Sequence, residues 1–318
     1  MAEHVMPWNE FYIATTDTNA NELSDELSSL GAVAITFQDA GNQPIFEPAP
    51  ETPRLWRETI LIALFEQDAP IDPILDFLAT KQSEQRLSHF HQQLLEDEDW
   101  ERRCLEGFKA ICCGQRLWIC PSWQTPPDPN AVNVILDPGL AFGTGTHATT
   151  RLCLEWLDAN FKKDETIIDY GCGSGILAIA ALKLGAKKAY AIDNDPQALE
   201  ATLDNSVRNN LDANTLIAEL PNYSIPEKAD VLIANILAGP LVELAKNLAN
   251  LVKPNGKIIL SGILDSQITE VEDAYKPWFL LEKPLKSAEW VRLTGTKKGL
   301  ADGKNLNSTI DRTKNNDI

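Results

Sequence analysis

The sequence predicts an α/β protein: a Rossmann-like, mostly parallel, doubly wound sheet with an antiparallel edge hairpin, preceded by a small ferredoxin-like α+β domain. Three observations predict it. Over residues 8–96 apolar runs and helical segments follow one another as β-α-β-β-α-β, the order of a split ferredoxin-like unit. From Thr166 onward short apolar runs alternate with helical stretches, which implies parallel strands covered on both faces. The chain then closes on two apolar runs, Phe279 to Lys283 and Trp290 to Thr294, with no helix between them. Such a pair makes an antiparallel hairpin at the sheet edge.

In chain order, Trp8 to Thr15 alternates as a strand and Asn19 to Leu30 has helical periodicity, with Gly31 free to end that helix before the strand Ala32 to Phe37. After a proline-rich connection (Pro44, Pro48, Pro50, Pro53), Thr59 to Phe65 is the third strand. Ile71 to Lys81, opened by Pro70 and Pro73, is the second helix, and Leu87 to Leu95 the fourth strand. The acidic run from Glu96, continuing to Phe108, reads as a connecting helix, with acids first and bases later as the helix dipole favours. Arg116 to Cys120 is a strand, and the proline-rich stretch after Pro121 is a stiff loop.

In the second half Pro196 to Asn209 is a helix, and Thr215 to Ala218 and Asp230 to Ala234 are strands. Leu237 to Leu251 is a helix, Lys257 to Ser261 a strand, and Asp265 to Tyr275 a helix. Residues 299–318 have almost no large apolar side chains and are expected to be a disordered tail. The organisation is therefore a first domain over 1–96, a connection over 97–130, a second domain over 131–298 and the tail.

A length of 318 residues is enough for two cores, and 44% hydrophobic with 23% charged residues is the balance of a soluble globular chain. No apolar run approaches the roughly 20 residues needed to cross a bilayer. The N-terminus has neither a basic flank nor a hydrophobic stretch, so a cytoplasmic location without a membrane partner is expected. Six scattered cysteines lack zinc-site spacing, so no metal is expected; Cys172, inside a glycine turn, is better explained as a small side chain than as a nucleophile. Residues 1–130 contain 22 Asp/Glu and 8 Lys/Arg, residues 131–318 contain 24 and 20. The net charges are thus −14 and −4. An acidic front half repels nucleic acid and attracts a basic partner, unless the charge serves solubility alone.

The chemistry centres on the stretch from Thr166 to Asp193. A β-branched run reaches Asp169, Gly171, Gly173 and Gly175 follow, then an Ala/Leu/Ile segment, then a second apolar run ending in Asp193. That is one β-α-β unit. The glycines let a ligand approach the main chain, and an acid at the end of the second strand can accept hydrogen bonds from ribose hydroxyls, so the ligand contains a nucleoside. Gly173-Ser-Gly175-Ile-Leu-Ala178 fits the degenerate dinucleotide pattern, which keeps a nicotinamide or flavin open. Asp169 ahead of the three glycines instead resembles the cofactor motif of class I S-adenosylmethionine-dependent methyltransferases. That ligand has no pyrophosphate but has an amino group and a sulfonium, which an acid suits. A carboxylate at this place can also simply cap the next turn.

Two further stretches belong at the C-terminal rim of such a sheet: the loop from Asp137 through Gly143-Thr-Gly-Thr-His-Ala-Thr-Thr150, and Asn235-Ile-Leu-Ala-Gly-Pro-Leu241. With the glycine turn they resemble the bacterial ribosomal protein L-eleven methyltransferase family, known as PrmA, over about Pro7 to Lys297. The resemblance implies a class I methyltransferase domain behind a ferredoxin-like domain that recognises the substrate. The cofactor implied is S-adenosyl-L-methionine, held by Thr150, Gly171, Gly173, Asp193 and Asn235. The partner implied is the basic large-subunit ribosomal protein L-eleven, methylated on lysine ε-amines and the N-terminal α-amine, and a monomeric enzyme is expected.

Residue by residue, Thr150 in the first turn of a helix can bond a ligand or cap. His147 is a candidate base, although a histidine beside a helix start is often a structural donor and methyl transfer needs no strong base. Asn235 is the candidate catalytic residue. It resembles the Asn/Asp-Pro-Pro-Tyr element of other nitrogen methyltransferases, but here proline follows only at Pro240 and no aromatic follows. Its amide oxygen can accept a hydrogen bond from an amine and aim the lone pair, while an asparagine capping the next helix fits the same position. The rivals are a nicotinamide oxidoreductase, a methyltransferase of another basic protein and a non-catalytic adenosylmethionine-binding adaptor.

Overall fold

The computed structural model describes residues 8–41, 43, 45, 55–95, 108–137 and 145–299. The connecting helix expected from Glu96 to Phe108 lies outside them up to residue 107, as do the first part of the glycine loop, 138–144, and the tail from 300 onward. By its internal contacts the chain divides into two compact units, Met1–Cys104 and Leu105–Ile318.

The first unit contains β1 (Trp8–Thr16), α1 (Asp17–Ser29), β2 (Ala34–Asp39), β3 (Glu58–Phe65), α2 (Ile71–Ser83) and β4 (His89–Leu95). The sheet order is β2-β3-β1-β4 with every pair antiparallel, as a split β-α-β plan requires. Alternation along β1 and β3 sends Phe11, Ile13, Leu61, Ala63 and Phe65 inward, where they meet Leu23 and Leu27 of α1 and Ile74 and Leu78 of α2. Gly31, at φ +99°, ends α1: Ala32 N–H donates to Leu27 O and Gly31 N–H to Ser28 O, the paired closure that a left-handed residue permits.

The second unit opens with a small sheet of which only the strand Arg116 to Cys120 was expected from sequence. Within the stretch read largely as a connection, β5 (Ile111–Cys112) pairs antiparallel with β6 (Leu117–Cys120), and β6 runs parallel to β7 (Val132–Ile135). Strands of two and four residues are too short to display a period, yet Leu117, Ile119 and Val134 are fully buried in the core of this unit.

The main sheet is built from β8 (Thr166–Tyr170), β9 (Lys188–Ile192), β10 (Leu216–Glu219), β11 (Ala229–Asn235), β12 (Val252–Leu264), β13 (Phe279–Leu281), β14 (Leu285–Ser287) and β15 (Trp290–Lys297). Its order is β10-β9-β8-β11-β12-β15-β13, and β14 pairs with β15. The first five strands are parallel; β15 is antiparallel to both neighbours, so the closing edge departs from an all-parallel dinucleotide sheet as expected.

The helices are α3 (Ala148–Asn160), α4 (Ile176–Lys183), α5 (Pro196–Arg208), α6 (Ala238–Leu251) and α7 (Ile268–Tyr275). Ile167, Val231, Ile233 and Ile259 face a core shared with α3 and α4. Ile168, Leu232, Ala234, Ile258 and Leu260 face one shared with α6 and α7. Both faces are covered, which is why these strands read as continuous apolar runs. The order in which strands are added reverses between β8 and β11, the switch point beyond whose strand ends an open α/β sheet binds its ligand.

Candidate functional site

At the switch point β8 ends in a turn whose three glycines, Gly171, Gly173 and Gly175, have φ of +77°, +52° and +75°, a conformation that side-chain-bearing residues rarely adopt. Gly171 N–H and Cys172 N–H both donate to Ile192 O, at 2.7 and 3.1 Å, tying the turn to the end of β9. Asp193, one residue on, locks it from outside. Its Oδ2 accepts from Gly173 N–H at 2.9 Å and its Oδ1 from Asp195 N–H at 3.0 Å. Each carboxylate oxygen keeps a second lone pair for a hydroxyl.

Asp169 lies beneath the turn and is fully buried. Its Oδ2 accepts from Ala178 N–H in the first turn of α4 at 3.0 Å, so the helix-capping role is real, but its Oδ1 is buried without a partner among the described residues. Burial pushes this carboxyl up to about 7, opposed by the Ala178 hydrogen bond and reinforced by the nearby Asp193 charge. An orphaned buried acceptor is costly, and a cationic ligand would relieve it.

Sequence reasoning missed what braces the turn. Thr202 of α5 donates to Gly173 O at 3.0 Å and contacts Cys172 Sγ at 3.4 Å, and Asn205 donates to Ser174 O at 2.9 Å. Both side chains are buried, and the available signal was two small polar residues three apart in a helix presumed to face its sheet with apolar groups. Cys172 is thus a buried packing residue whose thiol is raised by burial, far from a reactive thiolate.

On the other side of the switch point Asn235 ends β11 and its Nδ2 donates to Thr150 Oγ1 of α3 at 3.2 Å. That contact leaves Oδ1 as the amide's acceptor. Ser261 of β12, fully buried and level with Asn235, donates to Thr149 O at 3.1 Å and so joins α3 to the same strand ends. Ser261 was not singled out from sequence; its partner lies 112 residues away. His147 is the N-cap of α3: Nδ1 accepts from Thr149 N–H at 3.4 Å and lies 2.8 Å from Thr149 Oγ1, while the ring packs edge-on against Trp290 at 5.0 Å. The structural use of His147 is therefore the one realised. Ala238, buried, stands three residues after Asn235, the place of the aromatic in the Asn/Asp-Pro-Pro-Tyr element.

The rim thus brings together all the expected residues, Thr150 with Asn235 on one side and Gly171, Gly173 and Asp193 on the other. Three positive-φ glycines, the half-buried Asp193 carboxylate and a buried Asp169 oxygen with no partner among the described residues suit a ligand that is a nucleoside at one end and cationic at the other. Such a sheet, with an antiparallel strand inserted beside its last parallel one, belongs to a class I methyltransferase. The family described as "Ribosomal protein L11 methyltransferase (PrmA)" matches residues 7–298, and the chain belongs to it.

Among relatives, the Ribosomal protein L11 methyltransferase of Shewanella sp. (strain W3-18-1) is 52% identical over 296 residues, covering 92% of this chain and 100% of that protein. The one from Marinobacter nauticus is 47% identical over 296 residues, covering 92% and 99%. The crystal structure of ribosomal protein L11 methylase from Lactobacillus delbrueckii subsp. bulgaricus is 33% identical with a TM-score of 0.54, covering 60% of this chain and all of that one. Among the described residues, no helix is long and apolar enough to cross a membrane.

Proposed function

We propose that this protein transfers methyl groups from S-adenosylmethionine to ribosomal protein L11, on lysine ε-amines and the N-terminal α-amine. The carrying observation is the Asn235–Thr150 contact, which fixes an amide acceptor at the switch point opposite the glycine turn. Relatives about half identical to this chain over nearly its whole length carry that substrate in their names.

When bound, adenosylmethionine supplies a methyl group on a sulfonium. The chain's residues hold and aim. Gly171 and Gly173 admit the donor to the main chain, Asp193 accepts the ribose hydroxyls, and the buried Asp169 carboxylate offsets the donor's positive charge. Thr150 holds the Asn235 amide so that its oxygen accepts from the incoming amine and directs the nitrogen lone pair at the methyl carbon. The bound donor would keep the electron pair of the broken carbon–sulfur bond as a neutral thioether, and the methylated amine's proton would leave to solvent.

A protonated amine has no lone pair, and lysine titrates near about 10.4 against about 8 for an α-amine. Lysine methylation therefore rises with pH through the neutral range, and α-amine methylation levels off at lower pH. The first unit recognises the substrate, its acidic surface meeting a basic protein, so added salt weakens the pairing. Incubation with methyl-labelled donor and a cell extract should label L11. A thermal shift with adenosylmethionine and none with NAD or NADP is the accompanying binding test. A larger shift with NAD contradicts the reading.

A further inference from the structure

Ile236, the residue after Asn235, is flanked by glycine on both sides. Ala234 is level with Tyr170 of β8 and Asn235 with Ser261 of β12, so the next positions on the neighbouring strands are Gly171 and Gly262. Both adopt left-handed φ, +77° and +83°. A Cβ on Gly171 would overlap Cγ2 of Ile236. A Cβ on Gly262 would land on the carbonyl oxygen of Ile236, with its carbonyl carbon 2.9 Å and its amide nitrogen 3.3 Å away. The first collision is with a side chain. The second is with main chain, which has no rotamer to escape into.

Gly262 also sits where the register of β12 against β15 shifts, between Leu260 and Ile263, as at a β-bulge. The irregular segment does two things at once. Ser261 reaches Thr149 O in α3, and Gly262 leaves the space that the Asn235–Ile236 segment occupies.

We infer that Gly262 is a positioning residue for methyl transfer: its missing side chain seats the Ile236 carbonyl and thereby sets the direction in which Asn235 meets the amine. The inference rests on the role given to Asn235 above. Any side chain at 262 pushes the Asn235–Ile236 segment outward, and a misplacement of about 1 Å in a positioned group lowers turnover by about 10²-fold. The Asp193 contacts that hold the donor belong to β9 and the glycine turn, on the far side of β11 from Gly262.

The test is Gly262→Ala in the full chain, with donor affinity and turnover on L11 measured separately. Gly185→Ala is the control, because Gly185 has φ +105° but its nearest neighbour is the flexible Lys163 side chain at 3.2 Å. Expected for Gly262→Ala are turnover down about 10²-fold and donor Kd within about threefold, with Gly185→Ala retaining parental turnover. Turnover of Gly262→Ala within about threefold of the parent, or donor affinity falling in step with turnover, overturns the inference.

If Gly262→Ala does not fold, Ile236→Gly read against Ile236→Ala decides, since both lose the side chain that meets Gly171 and only the glycine frees the main chain that Gly262 seats. Turnover down about tenfold from Ile236→Ala to Ile236→Gly at unchanged donor Kd supports the inference, whereas equal turnover, or a matching loss of affinity, overturns it. The unaltered chain's turnover on L11, read in the same assay, tests the functional reading by itself.

Discussion

The two halves of the sheet's C-terminal rim are built by different means. Around β8 and β9 the two carboxylates make local contacts with main-chain donors, Asp169 and Asp193 accepting from Ala178, Gly173 and Asp195, all within 20 residues, and the side-chain braces from Thr202 and Asn205 reach only about 30 residues. Around β11 and β12 the contacts are distant and carried by side chains, Asn235 to Thr150 across 85 residues and Ser261 to Thr149 across 112. The first half is a preformed cradle for a ligand of fixed shape. The second is a junction of three elements whose geometry depends on the packing of the whole unit, which suits the aiming of a nucleophile brought by another protein. Donor binding and methyl transfer should therefore be separable by mutation.

Asn235→Ala is expected to have the largest effect, lowering turnover by about 10² to 10³-fold while donor affinity stays within about threefold. Calorimetry and steady-state kinetics on the same preparation check it. Proportional losses would break the division between the halves and reduce Asn235 to a donor ligand.

Asp193→Ala should do the reverse. Hydrogen bonds to a charged group are worth about 1.5–3 kcal/mol each, so donor affinity should fall by about 10²-fold or more, with the thermal shift largely lost. Turnover at saturating donor should fall far less. A variant that binds normally but turns over poorly would remove Asp193 from the donor half.

Asp169 sharpens the comparison through pH. Its carboxyl is raised to about 7 in the folded chain by burial. The neutral form therefore contributes stability that is fully present below the ordinary value of about 3.9 and is lost as pH rises through about 7. A cationic donor prefers the ionised form, so affinity should drop by up to about tenfold per pH unit below about 7, with a proton released on binding. Asp169→Asn should flatten both dependences. A pH-independent donor affinity in the unaltered chain would sever Asp169 from the ligand.

His147→Ala is expected to be the mildest. Loss of the N-cap should cost about 1 kcal/mol of stability, seen as a lower Tm, with turnover within about threefold. A larger kinetic loss would move His147 into the acceptor half as a base.

What was legible in the sequence follows the same division. The glycine turn, Asp169 and Asp193 could be read because their spacing is local and each glycine answers a backbone need at its own position. The main strands were legible because burial on both faces leaves long apolar runs. The pairing of β5, β6 and β7 into a small sheet was not: β6 was read as the strand Arg116 to Cys120, but β5 and β7, of two and four residues, carry no period. Asn235 and Thr150 were named from a resemblance, but their contact was not deducible. Ser261, Thr202 and Asn205 went unread because a buried polar residue announces itself only when its partner is known, and theirs lie 112, 29 and 31 residues away.

The most direct test of the account is the mass of purified L11 after incubation with adenosylmethionine and either the unaltered chain or Asn235→Ala, both at donor concentrations shown to saturate binding. The account predicts added methyl groups on L11 amines with the unaltered chain and almost none with Asn235→Ala over the same time. Unmodified L11 with the unaltered chain would contradict the substrate, and equal methylation by the two proteins would contradict the role of Asn235.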